Sequence, residues 1–125
     1  MNGVRFLLDT NAVVALLGGN TVISKLINKA QWLGVSIITV FEYTSFSKLN
    51  NDDVDLFHLF LKRIEVIDLA QNNFALLQIT TIIRIKHKLK LPDAIIAATS
   101  ILKIATLITN DKGFDNVNNL KVIGF

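Results

Sequence analysis

Four carboxylates stand at the ends of apolar stretches, where folding could bring them together. They are Asp9, Glu42, Asp93 and Asp111. Asp9 directly follows a predicted buried strand at 4–8, and Asp111 comes just after a predicted buried strand at 105–109. In an open α/β sheet, the edge where strands end is the edge where ligands bind. Grouped carboxylates repel one another, and this repulsion is relieved by protonation or by a bound cation.

The residue types around these acids favour a hard cation. The chain has no cysteine, and neither histidine is close to the four acids in sequence. Oxygen ligands alone are typical of Mg²⁺ or Mn²⁺ and not of Zn²⁺. Because Mg²⁺ held by carboxylates and water is the usual arrangement for chemistry on phosphates, the pattern predicts a metal-dependent reaction at a phosphate group.

Each acid also has a purely structural interpretation. Asp9 can cap the helix that follows it, and Glu42 can complete a capping box with Thr39. Asp93 can oppose a helix dipole, and Asp111 can form a turn. Taken singly, each structural interpretation is the stronger one, whereas four acids at one predicted edge of a sheet together favour a site.

Strand-like runs alternate with helical patterns along the chain. We predict strands at 4–8, 35–38, 64–67, 105–109 and 121–123. We predict helices from 11 to 17, from 21 to 33, from a capping box at 39–42, up to 63 after a polar loop, along the stripe 70–85, and from 91 onward. This alternation predicts an α/β fold of three layers (α/β/α), with a mainly parallel central sheet and helices on both faces.

Composition limits the class of protein. The 125 residues predict a single domain spanning 1–125, and 51% hydrophobic against 18% charged residues excludes intrinsic disorder. The absence of cysteine excludes a disulfide scaffold and a thiolate metal site. The longest stretches without a charged residue are too short for a membrane span, which needs about 20 residues, and Asp9 interrupts any signal peptide. We therefore expect a soluble, cytoplasmic protein.

Basic residues dominate outside the four acids. The chain carries a net charge of +3, and without those acids it has 13 basic and six acidic side chains, a balance of +7. A basic surface around an acidic pocket suits a nuclease, because it attracts phosphate. The densest basic cluster is Arg84, Lys86, Lys88 and Lys90. Contacts to RNA and a solvated helix end are equally good interpretations of this cluster.

Four segments together resemble the PIN domain, the nuclease fold of VapC-type toxins in bacterial toxin–antitoxin pairs. The segments are 7–11 (LLDTN), 37–42 (IITVFE), 91–98 (LPDAIIAA) and 107–114 (LITNDKGF). Their order and spacing agree with the family over essentially the whole chain, and the first and third are the more specific.

The resemblance implies a Mg²⁺- or Mn²⁺-dependent endoribonuclease with Asp9, Glu42, Asp93 and Asp111 around the metal. It implies that Thr10, Asn11 and Thr109 orient the carboxylates, waters or phosphate. It also implies a homodimer that is held inactive by a small antitoxin protein.

One position departs from the family pattern, which often has an aspartate before the phenylalanine of the last motif. Gly113 stands there, and Asp115, two residues later, is a possible extra acid. The departure leaves open the number of metals and the level of activity.

Alternative functions remain open on the sequence. The same site could belong to a nuclease specific for DNA or for nucleic-acid structure. The chain could also be a degenerate PIN-like module that binds RNA or protein without cutting, which Gly113 favours. A phosphoryl-transfer protein of the receiver or haloacid-dehalogenase type is disfavoured, because residues 7–17 lack an Asp-x-Asp arrangement.

Overall fold

A five-stranded parallel sheet forms the centre of the protein in the computed structural model, which describes residues 3–46 and 48–125. Its strands are β1 (Val4–Leu8), β2 (Ala30–Ser36), β3 (Glu65–Ile67), β4 (Thr106–Ile108) and β5 (Val122–Ile123). Their order across the sheet is β3-β2-β1-β4-β5, and every neighbouring pair is parallel. The prediction of a parallel central sheet is confirmed.

Helices cover both faces of this sheet. They are α1 (Thr10–Leu17), α2 (Thr21–Ile27), α3 (Ile37–Thr44), α4 (Asn51–Leu61), α5 (Phe74–His87), α6 (Leu91–Leu102) and a short 3₁₀ helix (Lys112–Phe114). Alternate side chains of β1 point to opposite faces. Phe6 and Leu8 join a core with α1 to α4, and Leu7 joins a second core with α5 and α6. The predicted three-layer arrangement is therefore confirmed.

Within the described part of the chain, none of the helices alone has the length and apolar character needed to cross a membrane. Only α1 and α2 taken together reach that length and composition, and they are bent by 107° at their junction.

The segment 28–33 differs from its predicted helical structure. The helix α2 ends at Ile27, and the chain then enters β2, whose residues pair with β1 in parallel register. Long-range pairing overrides a helical spacing of apolar residues, because strand preference depends on neighbouring strands. Gly34, predicted to stop a helix, lies inside β2, where the indole of Trp32 packs so closely that a Cβ on Gly34 would stand 2.4 Å from it.

The start of α3 also differs from prediction. Ser36 caps this helix, and its side chain accepts a hydrogen bond from the backbone N–H of Ile38. The predicted capping box of Thr39 and Glu42 is therefore wrong, because both residues lie inside a helix that has already begun. Their side chains are left to face α1.

The helix α5 exposes much of the apolar stripe predicted for it. Its buried positions are Leu76, Thr80 and Ile83, whereas the side chains of Phe74 and Ile85 are 70% and 76% exposed. The helix begins at Phe74 behind an Asn73 cap, later than the stripe indicated. A stripe at helical spacing thus marked an apolar surface that faces away from the core.

Candidate active site

The order of the strands brings three chain segments to one edge of the sheet. The chain moves outward from β1 through β2 to β3, and then returns to place β4 on the other side of β1. Asp9 follows β1, Asp111 comes shortly after β4, and Glu42 lies on the helix after β2. Asp93 joins them from the first turn of α6. This edge beside β1 is the topological switch point, where open α/β sheets bind ligands.

The four predicted acids line a single cleft of about 370 Å³. The other residues that line it are Thr10, Asn11, Val14 and Phe46. The cleft thus brings together all four acids and two of the three polar residues that were expected to orient them. The third, Thr109, lies behind the cleft and contacts Asp9.

Asp9 is buried and fully engaged by hydrogen bonds. Its Oδ1 accepts from the backbone N–H of Thr10 at 2.8 Å. Its Oδ2 accepts from Thr109 Oγ1 at 2.7 Å and from Asn11 Nδ2 at 3.1 Å. Asp9 therefore caps α1, as its structural interpretation predicts, and the same contacts fix the direction of its carboxylate at the cleft.

Thr109 connects the two strands that flank the switch point. Its hydroxyl donates to Asp9, and it accepts from Asn11 Nδ2 and from the backbone N–H of Asp111, both at 3.0 Å. Asn11 in turn accepts from the backbone N–H of Asn110 at 3.1 Å. One hydroxyl therefore holds the segments that carry Asp9 and Asp111 in a fixed relation.

A hydrogen bond from a residue of α1 orients the side chain of Glu42. Thr10 Oγ1 donates to Glu42 Oε1 at 2.5 Å, and the same hydroxyl lies 3.3 Å from Thr39 Oγ1. Thr39 is completely buried, so this contact lies at the base of the cleft. Thr10 thus joins α1 to α3 and directs the second acid toward the first.

Burial and neighbouring negative charge make Asp9 and Asp93 harder to ionise. Burial raises the pKa of Asp9, the hydrogen bonds that it accepts oppose this, and the charges of Asp93 and Glu42 raise it further. Burial also raises the pKa of Asp93, with added contributions from Asp111 and Glu42 and an opposing one from Lys90. The cleft is therefore a place where negative charge is concentrated and where a cation would be stabilised.

The donors of the cleft suit a hard divalent cation in their chemistry. Its lining presents carboxylate, hydroxyl and amide groups, which are ligands of hard cations. Within residues 3–46 and 48–125, no three acidic or histidine side chains stand close enough together to ligate one ion. A cation held in this cleft would offset the mutual repulsion of the carboxylates.

Two other predicted groups lie outside the cleft lining. Asp115 is exposed at the end of the 3₁₀ helix and is not brought to the four acids. The basic cluster lies at the end of α5 and in the loop before α6, and all four of its side chains are exposed. Lys90 is the member whose charge acts on Asp93.

Sequence reasoning missed the apolar part of the cleft. Val14 and Phe46 line it and are 42% and 43% exposed. Val14 lies four residues after Thr10 on α1, and residues at that spacing share one side of a helix. The spacing is the signal that could have identified Val14, whereas Phe46 lies beyond the end of α3 and has no such signal.

Replacing Thr109 with Val is expected to raise the pKa of Asp9 further, because the hydroxyl donor that stabilises its charged form is lost. The change also removes an acceptor from Asn11, and we expect the free energy of unfolding to fall by about 1–3 kcal/mol. An NMR titration of the Asp9 carboxyl and urea unfolding measure the two effects. Thr109→Ser keeps the hydroxyl and is the control, and an unchanged Asp9 titration in the Val variant would contradict the assignment.

The architecture and the cleft define an α/β protein with an acidic site at the switch point of a parallel sheet. The PIN domain model matches residues 6–120, and the chain therefore belongs to the PIN domain family. No match is found among curated proteins.

Solved structures resemble this chain over nearly its whole length. A toxin–antitoxin complex from Klebsiella pneumoniae is 28% identical with a TM-score of 0.77, and covers 94% of each chain. VapBC2 from Rickettsia felis, bound to a DNA fragment from its promoter, is 27% identical with a TM-score of 0.75, and covers 97% of this chain and 98% of its own. VapBC-1 from nontypeable Haemophilus influenzae shares the fold at 20% identity, with a TM-score of 0.80 over 96% and 97%.

Proposed function

We propose that this protein is a Mg²⁺- or Mn²⁺-dependent endoribonuclease that hydrolyses RNA phosphodiester bonds, and that it is the toxin of a bacterial toxin–antitoxin pair. The observation that carries the proposal is the cleft that four carboxylates share at the switch point of a PIN domain. Support for the toxin role comes from the similar Klebsiella structure, which is a toxin–antitoxin complex, and from the similarity to VapBC2 of Rickettsia felis.

In the proposed reaction, Asp9, Asp93 and Asp111 hold the cation directly or through water. Glu42 binds the cation through water or positions the attacking water molecule. When bound, a divalent cation makes hydroxide available near neutral pH and stabilises negative charge on the phosphate and on the leaving oxygen. Because the acids themselves repel phosphate, the substrate is expected to bind productively only together with the cation.

Hydroxyl and amide groups keep the acids in place for this role. Thr109 and Asn11 fix one oxygen of Asp9, and Thr10 fixes one oxygen of Glu42. These groups reduce the freedom that the carboxylates would otherwise have to leave productive positions. Groups that orient metal ligands in this way are typically worth about 10- to 100-fold in metal affinity or activity.

The basic cluster is proposed to guide RNA toward the cleft. Arg84, Lys86, Lys88 and Lys90 are exposed, and the last of them acts electrostatically on Asp93. Exposed cations on a protein with an anionic cleft attract the phosphates of a nucleic acid to it. Hydrolysis of cellular RNA further implies that the protein acts in the cytoplasm.

We also propose a homodimer and a small antitoxin partner. Two separate apolar grooves on the surface could each serve one of these two protein interfaces. One, of about 520 Å³, lies along α5 and includes Leu77 and Ile85, which are 52% and 76% exposed. The other, of about 540 Å³, lies along α1 and α4 and includes Leu56 and Leu59, which are 44% and 59% exposed. Exposed apolar patches of this kind are typical of protein interfaces.

A cleavage assay with Mg²⁺, Mn²⁺ or EDTA tests the proposed function on total RNA and on RNA and DNA strands of matched sequence. We expect cleavage of RNA with either metal and no cleavage with EDTA. An Asp93→Asn protein purified in the same way controls for contaminating nuclease. Preferential cleavage of DNA would contradict the RNA assignment, and binding of RNA without cleavage under any metal would favour a non-cutting module.

A further inference from the structure

One wall of the acidic cleft is apolar. Phe46 and Val14 line the same cleft as the four carboxylates, and both side chains remain substantially exposed. Exposed apolar side chains beside concentrated negative charge contribute little to the stability of the free protein. The cleft therefore has two chemically distinct walls, one able to hold a cation and a phosphate, and the other able to hold an uncharged group.

The ring of Phe46 is held in position from behind. It lies against Tyr43, with ring centroids 5.7 Å apart and planes inclined at 54°. Tyr43 is itself stacked on Phe57 at 4.2 Å, and Phe57 is completely buried in the core. The backbone N–H of Phe46 also donates to the carbonyl of Tyr43 at 3.3 Å. An exposed ring backed by a stack that reaches the core is already organised for a ligand, so binding costs little conformational entropy.

The size and chemistry of the cleft favour a nucleobase over a protein segment. Its volume of about 370 Å³ is at the small end of the range of small-ligand sites. A protein partner needs on the order of 800 Å² of its surface covered, far more than two apolar side chains provide. Every nucleobase offers a flat face to an aromatic ring. Each base is also linked to a phosphate, which a cation held by the carboxylates would bind.

We propose that Phe46 stacks on the nucleobase adjacent to the phosphate that is cut, and that Val14 adds an apolar contact to that base. The proposal rests on the proposed ribonuclease function and adds a substrate-binding residue to it. A base inside a duplex is already stacked on both faces, whereas an unpaired base has a face free for an aromatic side chain. The contact proposed for Phe46 therefore requires an unpaired base.

Binding of short, fluorescently labelled homopolymeric RNA oligonucleotides to the Asp93→Asn protein tests this contact without cleavage. We expect Phe46→Ala in that background to weaken binding about five- to hundredfold, and Phe46→Trp to preserve it, because tryptophan also stacks. Phe41→Ala is the matched control. Phe41 lies on α3, which ends two residues before Phe46, and it is 62% exposed but does not line the cleft. Equal affinity of the Phe46→Ala and Phe46→Trp proteins would overturn the proposal.

Removing one base at a time from the RNA separates stacking from a general structural effect. At one position, an abasic site should weaken binding to the protein that has Phe46, and should have no further effect on the Phe46→Ala protein. Additive losses at every position, or no RNA binding at all, would overturn the stacking role. A Phe46 effect on binding of a co-expressed antitoxin but not of RNA would overturn it in favour of a protein contact.

These outcomes are distinguishable from a failure of the proposed function. RNA binding that depends on Phe46 in a protein that never cuts RNA would refute the nuclease and leave the stacking role intact. Metal-dependent RNA cleavage that is unchanged by Phe46→Ala, both in kcat and in KM, would refute the stacking role and leave the nuclease intact. Loss of a true stacking contact in the Phe46→Ala protein should raise KM more than it lowers kcat, since the contact binds the substrate before and during the reaction.

Discussion

Replacing Asp9 with Asn is expected to lower the rate of RNA cleavage by more than about a hundredfold while the protein stays folded. Asp9 is the most enclosed of the four acids, and its carboxylate is held by three hydrogen bonds that aim it at the cleft. Asparagine has the same size and caps helices equally well, so α1 should keep its cap. The substitution removes the negative charge, which is what a divalent cation requires. Initial rates with saturating Mg²⁺ or Mn²⁺ measure the effect.

Asp115→Asn is the matched control for this experiment. It makes the same chemical change at an exposed aspartate that does not line the cleft, and we expect a rate close to that of the wild type. Circular dichroism and thermal unfolding of both variants show whether the fold is retained. Cleavage at the wild-type rate by the Asp9→Asn protein, with metal present, would defeat the proposed mechanism.

The fold was largely predictable because the strongest local patterns coincide with buried strands. Residues 6–8 of β1 and 107–108 of β4 are buried and apolar, as in central parallel strands, and an acid follows soon after each run. The helix predicted at 28–33 was wrong because the local pattern there is ambiguous. There the apolar residues also fit a helical spacing, and only pairing with β1, a long-range contact, decides for a strand.

The sequence predicts which acids form the candidate site, but not the side-chain contacts that hold them in place. Strand ends and helix starts place Asp9 and Asp111 at one edge without knowledge of the strand order. The link from Thr10 to Glu42 depends on how α1 packs against α3, and the sequence suggested a local cap for Glu42 instead. Phe46 escapes sequence reasoning because aromatic residues among apolar neighbours usually belong to a core or an interface, although this one lies beside the acids.

The free energy of unfolding of the metal-free protein should fall as the pH rises through the raised pKa values of Asp9 and Asp93. Folding raises the pKa of Asp9 and of Asp93 above the ordinary value of 3.8, so the folded state binds more protons than the unfolded state in that range. The contribution of these two groups to stability is therefore complete below pH 3.8 and is lost as the pH rises through their raised pKa values. Without metal, the protein at neutral pH carries the cost of holding these two charges buried and close to other negative charges.

Asp93→Asn should consequently make the metal-free protein more stable than the wild type at neutral pH, with the difference disappearing toward pH 3.8. Asp93 suits this test because, among the described residues, its side chain accepts no hydrogen bond that the amide would lose. Urea unfolding in EDTA at a series of pH values measures the difference. An Asp93→Asn protein that is less stable than the wild type at neutral pH would show that the Asp93 carboxylate stabilises the fold more than its repulsion destabilises it.

Bound metal should make the wild type more stable than the Asp93→Asn protein at neutral pH. A cation that binds only the folded state stabilises it by about 2.7 kcal/mol at a concentration 100 times its dissociation constant. Because the ligands must be deprotonated, the gain should grow as the pH rises, in the same range where the metal-free protein loses stability. Mg²⁺ or Mn²⁺ should therefore stabilise the wild type strongly at neutral pH and the Asp93→Asn protein weakly, whereas Asp115→Asn should respond as the wild type does. Equal stabilisation of all three proteins would place the cation outside the cleft, and the four acids would then have no catalytic ion to hold.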